Sequence, residues 1–72
     1  MSYLAKVQRS IDYIEANLRE ELSLFQVAKE VAFSPYHFHY VFGVTVGETF
    51  KDYIRKRRLT EAAHELRDTD QG

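Results

Sequence analysis

The chain has 72 residues, of which 44% are hydrophobic and 29% are charged, and its formal net charge is −1. This length allows at most one small domain with a thin core, which leaves little volume for a catalytic pocket. The lack of cysteine excludes disulfides and thiolate metal sites, and no apolar run is long enough to cross a membrane.

Apolar residues at alternating spacings of three and four predict a first amphipathic helix. Its apolar stripe consists of Leu4, Val7, Ile11, Ile14 and Leu18. Ser2 lies where the N-cap of this helix is expected.

A second, short helix is predicted in SLFQVAKEVAF, residues 23–33. Ser23 and Gln26 have the spacing of a capping box, in which the serine hydroxyl accepts a hydrogen bond from the backbone three residues later. The residues that would line the buried face of this helix are Leu24, Val27, Ala28 and Val31.

The third segment, SPYHFHYVF at residues 34–42, has an aromatic residue at every second position, which by itself favours a strand. Ser34 followed by Pro35 nevertheless predicts a helix start, because serine caps helices and proline lacks the N–H that would be left unbonded there. On that helix Phe38, Val41 and Phe42 form the core face. The opposite face carries Tyr36, His39, Tyr40 and Gly43.

A fourth helix is predicted from Thr49, whose spacing from Asp52 is typical of a helix start, after Gly47 has ended the third. Phe50, Tyr53 and Ile54 share one face of it. The later apolar residues lie roughly 170° away around the helix axis; they are Leu59, Ala62, Ala63 and Leu66. A helix that packed on one body would keep one stripe, so we expect the second half to face a second body.

Four helices without a strand predict an all-α fold, and the short gap between the second and third helices, about residues 32–34, is typical of a helix-turn-helix. The same spacing occurs in helical bundles that do not bind DNA, so the pattern alone leaves both interpretations open. We do not expect an enzyme, because His37 and His39 point to different sides of a helix and no nucleophile elbow or glycine-rich loop occurs. We expect neither a metal nor a cofactor.

Several short motifs occur together in this chain: LSLFQVA, SPYHF, Phe42 with Gly47, and YIRKRRL with Ala63 and Leu66. Together they resemble the first helix-turn-helix unit of the AraC/XylS family of bacterial transcription regulators and the long helix that follows it. The resemblance implies a homeodomain-like three-helix unit, with the helix-turn-helix at about 23–44 and a linker helix at about 49–67. Residues 1–72 would then be the N-terminal half of a DNA-binding domain, without its second helix-turn-helix unit and without an effector domain.

An exposed cluster of two tyrosines and a histidine is unusual without a partner, although a solvated aromatic face is the competing interpretation. We expect Tyr36, His39 and Tyr40 to contact DNA bases, because these side chains can form hydrogen bonds with base edges or cover a thymine methyl group.

The one concentrated basic patch consists of Lys51, Arg55, Lys56, Arg57 and Arg58. Charge alone is equally compatible with phosphate contact and with a solvated helix face, on which Arg57 would pair with Glu61 four residues later. The resemblance favours phosphate contact by Ser34, Lys51, Arg55 and Lys56.

Three positions depart from the family pattern. Members often carry a basic residue at the position of Tyr40 and a basic or polar residue at that of Gly43, so charge is missing from the expected groove surface. Ala32 stands where glycine is frequent, and a positive φ there would cost on the order of 1 kcal/mol.

These observations predict a cytoplasmic, sequence-specific binder of double-stranded DNA that places its third helix in the major groove. The alternative is a protein-interaction module, or a truncated fragment, whose exposed aromatic and apolar faces bind a protein. The apolar face of the fourth helix also predicts self-association, through Leu59, Ala62, Ala63 and Leu66.

Overall fold

The computed structural model describes residues 2–70, and the side chains of residues 2–66. Its helices are α1 (Tyr3–Ala16), α2 (Leu24–Glu30), α3 (Pro35–Val46) and α4 (Phe50–Asp70). No strand occurs within residues 2–70, so the predicted all-α fold is confirmed. The first three helices pack against one another, and α4 packs against α3 and continues beyond this body. No helix in the described part of the chain is long and apolar enough to cross a membrane.

Each helix begins at a hydroxyl that accepts a hydrogen bond from the backbone N–H three residues later. The four hydroxyls belong to Ser2, Ser23, Ser34 and Thr49, with oxygen–nitrogen distances of 3.1 or 3.2 Å. A cap of this kind contributes about 1 kcal/mol of stability. All four predicted helix starts are therefore confirmed. The side-chain amide of Gln26 donates to the Tyr13 hydroxyl on α1 at 2.7 Å, which ties α2 to α1.

The turn between α2 and α3 keeps the backbone conformation that usually requires glycine. The N–H of Phe33 donates to the carbonyl of Ala28 at 2.9 Å, and the N–H of Ala32 donates to the carbonyl of Lys29 at 3.1 Å. This pair of bonds is a Schellman motif, which needs a left-handed residue after the helix. Ala32 occupies that position with φ of 59°. The strain considered from the sequence is therefore present in the fold.

The buried apolar side chains form a single core between the helices: Val7, Ile14, Leu18, Val27, Ala28, Val31, Phe38, Val41, Phe42, Phe50 and Ile54. The predicted core face of α3 is confirmed. The prediction for Leu4 is wrong, because its side chain is 68% exposed. Leu4 lies in the first turn of α1, one turn before Val7, the first residue of that helix that is buried.

Three phenylalanine rings hold α3 against α4. The ring centroids of Phe38 and Phe42 lie 5.4 Å apart. The centroid of Phe50 lies 5.8 Å from that of Phe38 and 6.0 Å from that of Phe42. Edge-to-face and tilted contacts at these distances are favourable beyond the burial of apolar area. Since all three side chains are buried, the rotation of α3 about its own axis is fixed by this cluster.

Two arginines tie α4 to the last turn of α1 and to the loop that follows it. The guanidinium of Arg57 donates to both carboxylate oxygens of Glu15, at 2.8 and 2.7 Å, and also to Glu61 at 2.8 Å. Arg58 donates to the backbone carbonyls of Leu18 at 3.0 Å and Glu20 at 2.7 Å. The hydrogen bond from Arg57 holds the pKa of the Glu15 carboxyl below its ordinary value, although partial burial opposes the shift.

The second half of α4 leaves its apolar face uncovered. Leu59 is 65% exposed and Leu66 is 67% exposed, and Ala62 and Ala63 between them are exposed as well. Phe50 and Ile54 on the first half are buried. The predicted change of side along α4 is therefore confirmed.

Replacing Ala32 by glycine should raise the free energy of unfolding by about 0.5–1 kcal/mol, because the relief of left-handed strain exceeds the entropy that glycine adds to the unfolded chain. Gly43→Ala is the control in which the exchange is reversed. Gly43 lies inside α3, and a Cβ there would meet nothing within 4 Å. It should stabilise by a similar amount, through better helix propensity. Urea denaturation measures both. A neutral or destabilising Ala32→Gly would show that the turn is not strained.

Glu15→Gln should lower the free energy of unfolding at neutral pH by about 0.5–1 kcal/mol, the range of partly exposed ion pairs. Because the folded-state pKa of Glu15 is depressed, its contribution is present above the ordinary value of 4.5 and is lost as the pH falls through the lowered pKa. The difference between the two proteins should therefore vanish in acid, as measured by denaturation at a series of pH values. Glu21→Gln, at an exposed carboxylate, is the control and should show no such difference. A Glu15 effect that persists unchanged in acid would contradict an ionic contribution.

Candidate nucleic-acid interface

The outer face of α3 presents the three side chains predicted to contact bases. Tyr36 is 83% exposed and Tyr40 is 62% exposed, and His39 beside them is also exposed. Positions three and four apart lie on the same side of a helix, and the core face formed by Phe38 and Phe42 lies opposite. The structure therefore brings these three side chains together on one convex surface. Their contact with DNA stays a prediction.

Ser34 lies at the start of this face. Its hydroxyl oxygen accepts from the backbone N–H of His37 at 3.2 Å, which is the N-cap bond of α3. The side chain is exposed, and a hydroxyl that accepts one hydrogen bond can still donate its own proton. Ser34 can thus cap the helix and donate to a phosphate oxygen at the same time.

The basic patch of α4 divides into an inner and an outer set. Arg57 is bound to Glu15 on α1, and Arg58 is bound to the loop after α1, so both hold the fold together. Lys51, Arg55 and Lys56 are exposed on the outer side. The outer set is the one predicted to contact phosphate. The pairing of Arg57 with Glu61, which belonged to the competing interpretation of a solvated helix face, is present.

Lys51 is the basic residue that borders the outer face of α3. A groove of about 350 Å³ lies between the starts of α2 and α4 and the middle of α3. Its lining residues are Leu22, Leu24, His39, Thr49, Phe50 and Lys51. His39 and Lys51 therefore lie at the rim of one groove, which joins the aromatic face of α3 to the basic edge of α4.

Acidic neighbours partly offset the other two outer charges. Arg55 lies 3.3 Å from a carboxylate oxygen of Asp52, with both side chains more than half exposed. Lys56 lies 2.6 Å from a carboxylate oxygen of Glu48, whose side chain is only 29% exposed. An exposed ion pair is weak and can open to meet another anion. Arg55 is thus more readily available to a phosphate than Lys56, whose partner is largely covered.

Val44 belongs to the outer surface of α3, although the sequence analysis did not select it. Its side chain is 69% exposed, four residues after Tyr40 and eight after Tyr36. The four-residue spacing was the signal that could have identified it. The outer face of α3 therefore continues to the C-terminal turn of that helix.

His37 takes part in an aromatic cluster away from His39. Its ring centroid lies 4.6 Å from that of Phe33 and 5.3 Å from that of Tyr3, and the Lys6 ammonium lies 4.7 Å from the Phe33 centroid. The sequence holds no local signal for this cluster, because Tyr3 and Phe33 are far apart along the chain. The predicted divergence of the two histidine side chains is confirmed.

The side chains in the described part of the chain offer little for metal coordination. No group of three histidine, cysteine, aspartate or glutamate side chains lies close enough there to hold a metal ion. The arrangement on α3 and α4 instead offers hydrogen-bonding rings beside exposed cations. This combination suits a nucleic acid, which has anionic phosphates and polar base edges.

The sequence of this chain matches a known family of proteins. A family model described as a helix-turn-helix domain matches residues 27–72, which is more than half of the chain. No solved structure matches the chain significantly.

Curated relatives are bacterial regulators. The chain is 41% identical over 70 residues to the HTH-type transcriptional regulator YbfP of Bacillus subtilis, covering 97% of this chain and 24% of that protein. It is 41% identical over 58 residues to the HTH-type transcriptional activator AarP of Providencia stuartii, covering 81% and 43%. It is 34% identical over 61 residues to the multiple antibiotic resistance protein MarA of Escherichia coli, covering 85% and 48%.

The chain spans less than half the length of these three relatives. The family model nevertheless matches the end of α2, the turn and the whole of α3, with the exposed face described above. The chain belongs to the AraC/XylS family of helix-turn-helix, DNA-binding transcription regulators.

Proposed function

We propose that this chain binds double-stranded DNA in the cytoplasm, in a sequence-dependent way, with α3 in the major groove. The observation that carries the proposal is the exposed face of Tyr36, His39 and Tyr40. This face lies opposite the buried core face of α3 and is bordered by Lys51. A helix-turn-helix places its second helix in the groove, with the N-terminal residues of that helix nearest to the bases.

Tyr36, His39 and Tyr40 would supply the base contacts. They lie in the first half of α3, which is the part that enters the groove deepest. Tyrosine hydroxyls and an imidazole both donate and accept hydrogen bonds, so they can match either kind of group on a base edge. None of them carries the fixed double donor of arginine, so discrimination at each base pair should be modest.

Ser34, Lys51, Arg55 and Lys56 would contact phosphates on either side of α3. Such contacts supply most of the affinity that does not depend on sequence, because bound cations release counterions from the DNA. Among the three outer cations, Arg55 and Lys56 form ion pairs with acidic side chains, and Lys51 forms none with the described residues. With a net charge of −1, the chain offers no general attraction to DNA beyond this edge.

The same groups predict weak binding by the isolated chain. One helix-turn-helix contacts one segment of major groove, and linking a second unit can raise affinity by roughly 10² to 10⁴. Without that gain we expect a dissociation constant on the order of 10⁻⁴ to 10⁻⁶ M at physiological salt, within the range of nonspecific binding.

Fluorescence anisotropy against random duplex DNA at several salt concentrations tests the proposal. Affinity should fall steeply as salt rises, and Lys51→Gln should reduce the slope of log affinity against log salt by about 0.9, the value for one lost phosphate contact. Arg9→Gln on α1, also exposed but outside the groove, is the matched control and should leave the slope unchanged.

Binding of a protein is the competing function, since large apolar side chains such as Tyr36 and Phe25 are exposed. Absence of DNA binding at low salt would contradict the proposal and favour that alternative. An equal loss of slope in the Arg9 and Lys51 variants would show that only total charge matters and that α4 has no defined place on the DNA.

We further propose that the exposed apolar face of α4 contacts a second folded body. In a longer protein of this family that body would be a second helix-turn-helix unit, and in the isolated chain it would be another copy. The face consists of Leu59, Ala62, Ala63 and Leu66. An open cleft of about 810 Å³ beside it, between α4 and the end of α1, offers room for such a contact.

Sedimentation velocity at micromolar to millimolar concentrations should reveal weak self-association of the chain, because two copies can cover this face with each other. Leu59→Lys combined with Leu66→Lys should give a monomer throughout that range. Val44→Lys is the matched control, at a valine that is 69% exposed on α3, and it should not change the association. A chain that stays monomeric, or a double variant that associates as before, would contradict a contact through α4.

A further inference from the structure

The outer face of α3 bears no charged side chain along its whole length. Its centre is an apolar strip that consists of Tyr36, Tyr40 and Val44, which are 83%, 62% and 69% exposed. Each lies four residues after the previous one, so the strip extends over roughly 12 Å at 1.5 Å per residue. This distance corresponds to the rise of about three to four base pairs.

The strip lacks the groups that recognise guanine. The commonest specific contact in the major groove is arginine or lysine to the two acceptors of guanine. The outer cations of the basic patch lie instead on α4, where Lys51 borders the face. Bringing one of them to a base would withdraw it from the phosphates.

The strip fits the apolar group that the major groove offers. Thymine presents a methyl group there, and apolar side chains distinguish it from the polar edge of cytosine. The flanks of tyrosine rings and the two methyl groups of valine can cover such a group, while the tyrosine hydroxyls remain free to form hydrogen bonds with neighbouring polar atoms.

Gly43 allows this face to approach the bases closely. A Cβ at that position would meet nothing within 4 Å, so the space above the backbone is open. Glycine is the residue that permits the closest approach of a backbone to a ligand. No long side chain at this point on α3 would hold the strip away from the floor of the groove.

We propose that the apolar strip of α3 recognises thymine methyl groups, so that this chain prefers sites with A·T pairs opposite α3 to G·C sites. The inference rests on the proposed DNA binding and specifies the class of site. Val44 joins Tyr36 and Tyr40 as a specificity-determining residue. Each thymine methyl group that becomes buried should strengthen binding roughly fourfold.

Four duplexes of about 20 base pairs, which is two helical turns, distinguish the effect of the methyl group on affinity from the effect of the base pair. They are alternating A·T, the same duplex with uracil in place of thymine, alternating G·C, and the same duplex with 5-methylcytosine. Anisotropy at low salt should show the thymine duplex bound roughly fourfold or more tightly than its uracil form. The 5-methylcytosine duplex should likewise be bound more tightly than the unmethylated one.

Variants assign the effect to the strip. In a Tyr36→Ala and Tyr40→Ala double variant, the ratio of thymine to uracil affinity should fall towards one. Leu4→Ala, at a leucine that is 68% exposed on α1, should leave that ratio unchanged. Tyr40→Arg should tighten binding to the G·C duplex more than to the A·T duplex, because it adds a guanine donor. Thermal melting followed by circular dichroism checks that each variant is folded, and the ratio in the unsubstituted chain decides the question independently.

Two results would overturn the inference while leaving the proposed function intact: equal affinity for thymine and uracil duplexes with normal salt dependence, or tighter binding of G·C than of A·T. Absence of binding to all four duplexes at low salt would instead contradict the proposed function, and the inference with it.

Discussion

The contact between Phe38, Phe42 and Phe50 is the interaction on which the arrangement of the interface depends. All three rings are buried, and their centroids are within 6.0 Å of one another. Burying a phenylalanine contributes about 1.5–3 kcal/mol, which is a large share of the stability of so small a domain. Because two of the rings lie on α3, the opposite side of that helix is forced outward. The exposure of Tyr36 and Tyr40 therefore follows from the packing of their neighbours.

The same contact sets the position of the basic edge. Phe50 lies in the first turn of α4, directly before Lys51. Holding Phe50 against α3 places Lys51 at the groove that His39 also borders. Further along α4, Arg57 binds to the last turn of α1 and Arg58 to the loop after it, which fixes the direction of α4. The five cations of the basic patch thus serve different purposes: Arg57 and Arg58 hold the helix in place, and the other three face solvent, where an anion can reach them.

The fold keeps a strained turn in order to connect α2 and α3. The bonds from Ala32 and Phe33 back to α2 satisfy carbonyl groups that would otherwise lack partners. Giving them up would cost more than the strain of one alanine at φ of 59°. The geometry between the two helices is thereby retained although the residue that suits it best is missing.

Most of the fold could be predicted from the sequence, since helix starts and faces depend on residues close together in the chain. The hydroxyls of Ser23 and Ser34 act on N–H groups three residues away, and the core face of α3 follows from helical periodicity. The same periodicity correctly placed Tyr36, His39 and Tyr40 outside. It was wrong for Leu4, because a pattern shows which side of a helix is apolar and not how far the neighbouring helices extend along it.

The tertiary structure alone decided which members of the basic patch face outward. Arg57 and Arg58 are adjacent to Lys56 in sequence, yet apart from Glu61 their partners lie about forty positions earlier, at Glu15, Leu18 and Glu20. Such pairings depend on where two helices cross, which no local spacing encodes. The cluster of His37 with Tyr3 and the shared groove of His39 and Lys51 arise in the same way. The sequence determined the helices and their faces, and the packing of those helices determined which charged and aromatic groups meet.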